Sequence, residues 1–148
     1  MAITIGDGIT NPLTIPTVDK LTVGGVIVPQ YKDFRISLDA ASVTQIGFIV
    51  HDAMQLHAVQ EAHVVGSTSG TLMLRNCTSG QAAAAGLAML TGTIDLSTGV
   101  AANTPQSGVL HATPANIQVA AGSMVQLEIA GTMTGLVGAC VTLTFKRI

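Results

Sequence analysis

Alternation of apolar and polar residues with a period of two dominates the chain from Tyr31 to its C-terminus. In FRISL, residues 34–38, three apolar side chains alternate with Arg35 and Ser37, which places the apolar set on one face of a β-strand. Similar alternation occurs in residues 42–50, 54–65, 71–76, 124–131 and 139–148. For the last of these segments we predict three inward-facing side chains, those of Val141, Leu143 and Phe145.

Turn signals separate these segments at short intervals. They lie in GSTSG (66–70), STG (97–99), NTPQSG (103–108) and AAG (120–122). Many short strands joined by polar turns are typical of a β-sandwich or β-barrel. Residues 79–90, SGQAAAAGLAML, contain four consecutive alanines, but so short a segment does not hold a stable helix by itself. We therefore predict an all-β domain with at most one helical turn in residues 79–90.

The first 30 residues differ from the rest of the chain. They contain prolines at positions 12, 16 and 29 together with several glycines. Proline removes a backbone donor that a central strand needs, and glycine weakens a strand interior. We predict an extended N-terminal arm over residues 1–30, with a short strand near Val26–Val28, followed by a β-sandwich domain over residues 31–148.

Charge is sparse along the whole chain. Only 9% of the residues are charged and 48% are hydrophobic, whereas about a quarter of the residues in ordinary soluble domains are charged. Such a surface is either covered by other subunits or composed largely of small, weakly polar residues.

The net charge is −2 and the six basic residues are scattered, so we predict no nucleic-acid partner. No apolar run approaches the roughly 20 residues of a membrane span, and the N-terminus lacks a signal-peptide pattern, so we predict no membrane partner.

Residues 51–65, HDAMQLHAVQEAHVV, concentrate three histidines, an aspartate and a glutamate. If this segment is extended, His51, His57, Glu61 and His63 share one face because their positions differ by even numbers. The opposite, inward face would then contain Leu56, Ala58, Ala62 and Val64.

The three histidines of this segment could form a metal site or part of a subunit interface. Zinc ligands converge within about 2.1 Å of the ion, whereas residues two or four apart on a strand diverge by roughly 7 to 13 Å. Outside this segment, His111 is the only obvious further metal ligand in the sequence. We therefore predict no metal and no cofactor, and we interpret His51, His57, Glu61 and His63 as a possible subunit interface. Histidines buried between subunits would make association weaken below about pH 6.5.

Motifs that carry catalysis are absent from the sequence. There is no GxSxG, P-loop or HExxH pattern, and Asp95 and Glu128 are isolated carboxylates. We predict that the chain is not an enzyme and has no catalytic residues. Cys77 and Cys140 lack CxxC spacing, and we expect buried thiols rather than a disulfide.

From near residue 46 onward, the segments follow a recognisable order. TLMLRN leads into TSGQA, and NTPQSGVL precedes ANIQVAAGSMVQLEIAGTMT and the final VTLTFKRI. In this order of segments, about two-thirds of the chain resembles small structural proteins of tailed bacteriophages of the jelly-roll capsid decoration, or cement, type. The arm, residues 1–30, lies outside this resemblance.

This resemblance implies a jelly-roll-like β-sandwich on the surface of a virion capsid. The implied function is binding across major capsid protein subunits and stabilising the shell, after assembly in the host cytoplasm. Because surface charge is sparse we expect a homo-oligomer, and the symmetry positions on capsids slightly favour a trimer over a dimer. The alternative is a receptor- or glycan-binding β-sandwich module of a phage tail or fibre, although the chain has few aromatic residues and no tryptophan. A hydrolase is a third, less supported interpretation.

Overall fold

The computed structural model describes residues 21–23 and 26–148. The chain divides into two compact units, Met1–Gln30 and Tyr31–Ile148. In the first unit, strands β1 (Leu21–Val23) and β2 (Val26–Val28) pair antiparallel, and β2 lies where the short strand was predicted. The remainder of the predicted extended arm, residues 1–20, lies outside the described residues.

The second unit consists almost entirely of strands. In chain order these are β3 (Tyr31–Leu38), β4 (Gln45–Ile49), β5 (Met54–Ala62), β6 (Thr71–Cys77), β7 (Leu87–Ala88), β8 (Ile94–Asp95), β9 (Gln106–Ser107), β10 (Gln118–Val119), β11 (Met124–Ala130) and β12 (Ala139–Arg147). The described helical structure is a 3-10 turn at Ala83–Ala85 and a four-residue helix α1 at Pro114–Ile117. The prediction of at most one helical turn within residues 79–90 is thus confirmed. No helix of the described residues is long and apolar enough to cross a membrane.

The strands form two antiparallel sheets. The first has the order β10-β5-β12-β3, with β9 also paired to β5. The second has the order β4-β11-β6-β7, with β8 also paired to β6. When β7 and β8 are counted as one interrupted strand, and β9 and β10 as another, eight positions remain. Their sheet orders, 1-8-3-6 and 2-7-4-5, are those of a jelly roll built from two Greek keys. The predicted all-β, jelly-roll-like sandwich is confirmed.

The core lies between the two sheets and contains the inner faces of the long strands. Val141, Leu143 and Phe145 of β12 are fully buried, as their alternation predicted. Phe145 packs edge-on against two further rings, Phe34 at 5.8 Å and Phe48 at 5.5 Å between centroids. Phe34 of β3 and Phe48 of β4 stack at 4.0 Å. Because β3 and β4 belong to opposite sheets, these aromatic contacts join the two layers of the sandwich.

Candidate functional site

Four loops meet at one end of the sandwich, because β3, β5, β8 and β11 all run toward that end. We call this surface the loop end. It consists of residues 39–44, 63–70, 96–105 and 131–138. These loops contain no lysine, arginine or glutamate, and their one aspartate is Asp39. The Asp39 carboxylate accepts hydrogen bonds from the Ala41 amide, at 2.9 Å, and from the Ser42 hydroxyl, at 3.1 Å. The loop end is therefore a nearly uncharged surface.

Hydrogen bonds hold loop 63–70 between its two neighbours. The Val65 amide donates to the Val137 carbonyl at 3.1 Å, and the Val137 amide donates back at 3.0 Å. On the other side, the Ser67 amide donates to the Leu96 carbonyl at 2.7 Å. The buried Ser67 hydroxyl also donates to this carbonyl, at 2.9 Å, and accepts from the Gly70 amide at 2.7 Å. These bonds satisfy buried polar groups of loop 63–70 and tie it to loops 96–105 and 131–138.

Valine side chains project from this uncharged surface. Val64, Val65 and Val137 are 50%, 46% and 53% exposed, and Val43 of loop 39–44 is 69% exposed. Val64, Val65 and Val137 are neighbours, because the Val64 and Val65 amides both donate to the Val137 carbonyl. Burial of apolar surface of this kind favours association by about 25 cal/mol per Å².

A buried polar group lies directly beneath the loop end. Glu61 and His63 are each 1% exposed, and His63 Nδ1 lies 3.0 Å from Glu61 Oε1. The other carboxylate oxygen, Glu61 Oε2, accepts a bond from Gln106 Nε2 at 2.7 Å. Gln106 Nε2 also donates to the Asp95 carbonyl at 2.6 Å. Gln106 thus links β5 and β9 of the first sheet to β8 of the second.

The common face predicted for His51, His57, Glu61 and His63 is wrong. Leu56 pairs with Phe145 and Ala58 with Thr144, so His57 between them is an extra residue without a partner on β12. This β-bulge reverses the facing of the residues that follow it. Glu61 and His63 consequently face inward. For the same reason Val64, which was predicted to face the core, lies at the surface, and Ala58 and Ala62 are only half-buried.

The structure brings together two of the four predicted interface residues. Glu61 and His63 are in contact but lie inside the protomer, so a second subunit does not reach them. His51 and His57 are exposed, and for these two residues the interface stays a prediction. His57 packs beside Tyr31, with ring centroids 4.8 Å apart.

The sequence did not indicate Gln106 or the exposed valines as parts of a site. Gln106 lies in a predicted turn, and no periodicity marks a loop residue as the partner of a buried carboxylate.

The chemistry open to the buried pair is limited by its position. Glu61 and His63 do not reach a substrate in solution, because both side chains are fully covered. His63 Nε2 has no hydrogen-bond partner among the described residues. A cleft of about 260 Å³ lies nearby, lined by residues 91–95 and 106–109. Within the described part of the chain, no group of three or more His, Cys, Asp or Glu side chains is placed to hold a metal ion.

The two cysteines are free thiols in different environments. Cys77 is fully buried and Cys140 is exposed on β12. The expectation of unpaired thiols is confirmed, but burial holds for Cys77 alone. Burial raises the pKa of the Cys77 thiol above its ordinary value of 9.0, the Arg75 guanidinium lowers this pKa, and the Glu128 carboxylate raises it.

Comparison with known proteins finds similar solved structures but no family. No protein-family profile matches the chain, and no curated protein matches it. Among solved structures, the chain is similar to a structure of the infectious bursal disease virus Gx strain, with 14% identity and a TM-score of 0.40. A structure of the Gt strain of the same virus is similar with 12% identity and a TM-score of 0.29. The matches cover 90% of this chain but only 36% and 42% of the viral chains.

Proposed function

We propose that this chain is a bacteriophage capsid decoration, or cement, protein that binds the outside of the shell and stabilises contacts between major capsid subunits. It is a structural component of the virion rather than an enzyme, and it assembles onto the shell in the host cytoplasm. The observation that carries this proposal is the loop end: a hydrogen-bonded, nearly uncharged surface from which Val64, Val65 and Val137 project. The resemblance in segment order to phage decoration proteins supports the same function.

The loop end suits contact with another protein. Protein interfaces have cores that are depleted in charge and surrounded by polar groups, and here serine, threonine and glycine surround the valines. Because hydrogen bonds already tie loops 63–70, 96–105 and 131–138 together, little conformational entropy of these loops is lost on docking. Many copies on one shell would together stabilise the shell even if each single contact were weak.

The receptor- or glycan-binding alternative gains no support from the described surface. Sugar-binding sandwiches commonly use exposed aromatic rings as platforms, but all three phenylalanines pack together in the core. Tyr31 is the one exposed aromatic ring of the second unit, and His57 lies against it. We therefore do not propose glycan binding.

Cosedimentation with shells that lack the protein tests the proposal. Val137→Lys should weaken shell binding by about tenfold or more, because it places an unpaired charge at the centre of the contact. Leu87→Lys on β7 is the matched control, since Leu87 is 49% exposed and Val137 is 53% exposed, and it should bind as the unmodified chain does. Equal binding by both variants, or no binding by the unmodified chain, would contradict the proposal.

A further inference from the structure

The two sheets have different free edges. In the first sheet the long edge strand is β3, which pairs only with β12 among the described residues. In the second sheet it is β4, which pairs only with β11 in the same part of the chain. The opposite edges are formed by the two-residue strands β7, β8, β9 and β10. Long β3 and β4 are therefore the edges on which another strand could add.

Only one of these two long edges is protected against strand addition. Strand β3 carries Lys32, Asp33 and Arg35, all exposed, and charged side chains on an edge discourage pairing with another chain. Strand β4 has the sequence QIGFI, and residues 40–50 contain no charged residue and no proline. Ile46 and Ile49 are each 55% exposed on this unprotected edge.

A bulge gives β4 an unusual facing pattern. Phe48 pairs with Val125 and Ile46 pairs with Gln126, so Gly47 is the extra residue. Gly47 faces inward, because a Cβ atom built on it would lie 2.6 Å from Leu127 Cδ1. Phe48 also faces inward, where it stacks on Phe34. Residues 46 to 49 therefore face out, in, in and out, with an isoleucine at each end.

We infer that β4 is a self-association surface, on which β4 of a second copy of this chain pairs antiparallel across a two-fold axis. The facing pattern is the same when read in either direction, so it is self-complementary. In the register that places Ile46 opposite Ile49 of the second copy, outward residues meet outward residues and the two bulges match. Residues directly opposite each other share a face in antiparallel pairing, and two isoleucine pairs form on the outer surface.

The second copy fits this edge better than a strand of another kind. A regular strand on this edge would leave Gly47 without a residue opposite it, as β11 does. In the pairing of two copies, every residue from 46 to 49 has a residue opposite it. Absence of charge on β4 also removes the like-charge repulsion that identical surfaces otherwise meet around a symmetry axis. Because the pairing is two-fold, it predicts a dimer. This differs from the trimer that we expected from the symmetry positions on capsids. It does not depend on the proposed capsid function.

Sedimentation equilibrium of the full chain tests the inference. We expect a dimer at micromolar concentration and at least about tenfold weaker dimerisation in Ile46→Lys or Ile49→Lys, because each substitution replaces one isoleucine of both cross-strand pairs with a charged side chain. Leu87→Lys, at a similarly exposed position away from β4, should dimerise normally. A monomeric or trimeric unmodified chain, or equal weakening by Leu87→Lys, would overturn the inference.

Crosslinking tests the register and does not require the lysine variants to fold. In a Cys140→Ser background, the double variant Ile46→Cys, Ile49→Cys should form a covalent dimer on oxidation, because each new cysteine faces its partner in the other copy. Either cysteine alone should not crosslink. Residues 46 and 49 of one strand lie too far apart to bond to each other, and buried Cys77 does not compete. Failure of the double variant to crosslink, or equal crosslinking by a single variant, would reject the register and the inference.

Discussion

At the scale of single residues, burial decides what the polar groups of this chain do. Glu61 is fully buried and accepts bonds from Gln106 and from the His63 ring. A buried carboxylate is stable in the interior only when hydrogen bonds replace its lost hydration. The Glu61, His63 and Gln106 group therefore serves the structure beneath the loop end rather than contact with a second subunit.

Substituting Glu61 should reveal this structural role. We expect Glu61→Ala to lower the free energy of unfolding by roughly 3 kcal/mol or more, because it leaves His63 Nδ1 and one bond of Gln106 without an acceptor in the interior. Asp33→Ala is the control, since exposed Asp33 also accepts a side-chain bond, from Thr144 at 2.7 Å, and should cost less than about 1 kcal/mol. Urea denaturation measures both, and equal losses would contradict this role for Glu61.

The buried Cys77 thiol should make stability depend on alkaline pH. Burial raises the pKa of this thiol above 9.0 in the folded chain, so its contribution to stability is fully present below pH 9 and decreases as the pH rises through the folded pKa. Urea denaturation at about pH 8 and about pH 10 should show a larger loss of stability for the unmodified chain than for Cys77→Ala. Identical losses in the two proteins would show that Cys77 ionisation does not contribute.

At the scale of elements, alternation in the sequence predicted the long strands and the inward face of β12, because side-chain facing in a regular strand depends on local sequence alone. The bulges at Gly47 and His57 depend on partners far along the chain. Counting even and odd positions along β5 therefore could not place Glu61 and His63 in the interior. The loop end could not be predicted from the sequence either, because its four loops come together only through the topology of the two sheets.

Gly131 tests how closely the loops at this end pack. Gly131 and Gly122 both have positive φ, 79° and 82°, but a Cβ atom on Gly131 would collide with the Ser69 carbonyl, whereas one on Gly122 meets nothing within 4 Å. Gly122→Ala should cost about 1 kcal/mol from backbone strain alone. Gly131→Ala should cost clearly more, because loop 63–70 must also move. Thermal denaturation compares the two variants, and equal costs would contradict the close approach of these loops.

At the scale of the whole molecule, the charge is distributed unevenly. The loop end carries one aspartate, whereas the opposite end has the Arg147 and Asp52 ion pair at 3.7 Å. Strand β4 is also uncharged, and it is an edge strand of the second sheet, whereas Val137 lies in loop 131–138. The two proposals therefore rest on different residues, shell attachment on Val64, Val65 and Val137 and pairing between copies on Ile46 and Ile49.

The thermal stability of the shell tests the proposed function most directly. Shells prepared without this protein are heated with and without the purified chain, and the temperature at which they disrupt is recorded. If the chain binds across major capsid subunits, it stabilises the intact shell by mass action, so disruption should shift to a higher temperature as its concentration rises. The Val137→Lys variant should give a smaller shift and Leu87→Lys a full one. Disruption at the same temperature at every concentration of the chain would contradict the account.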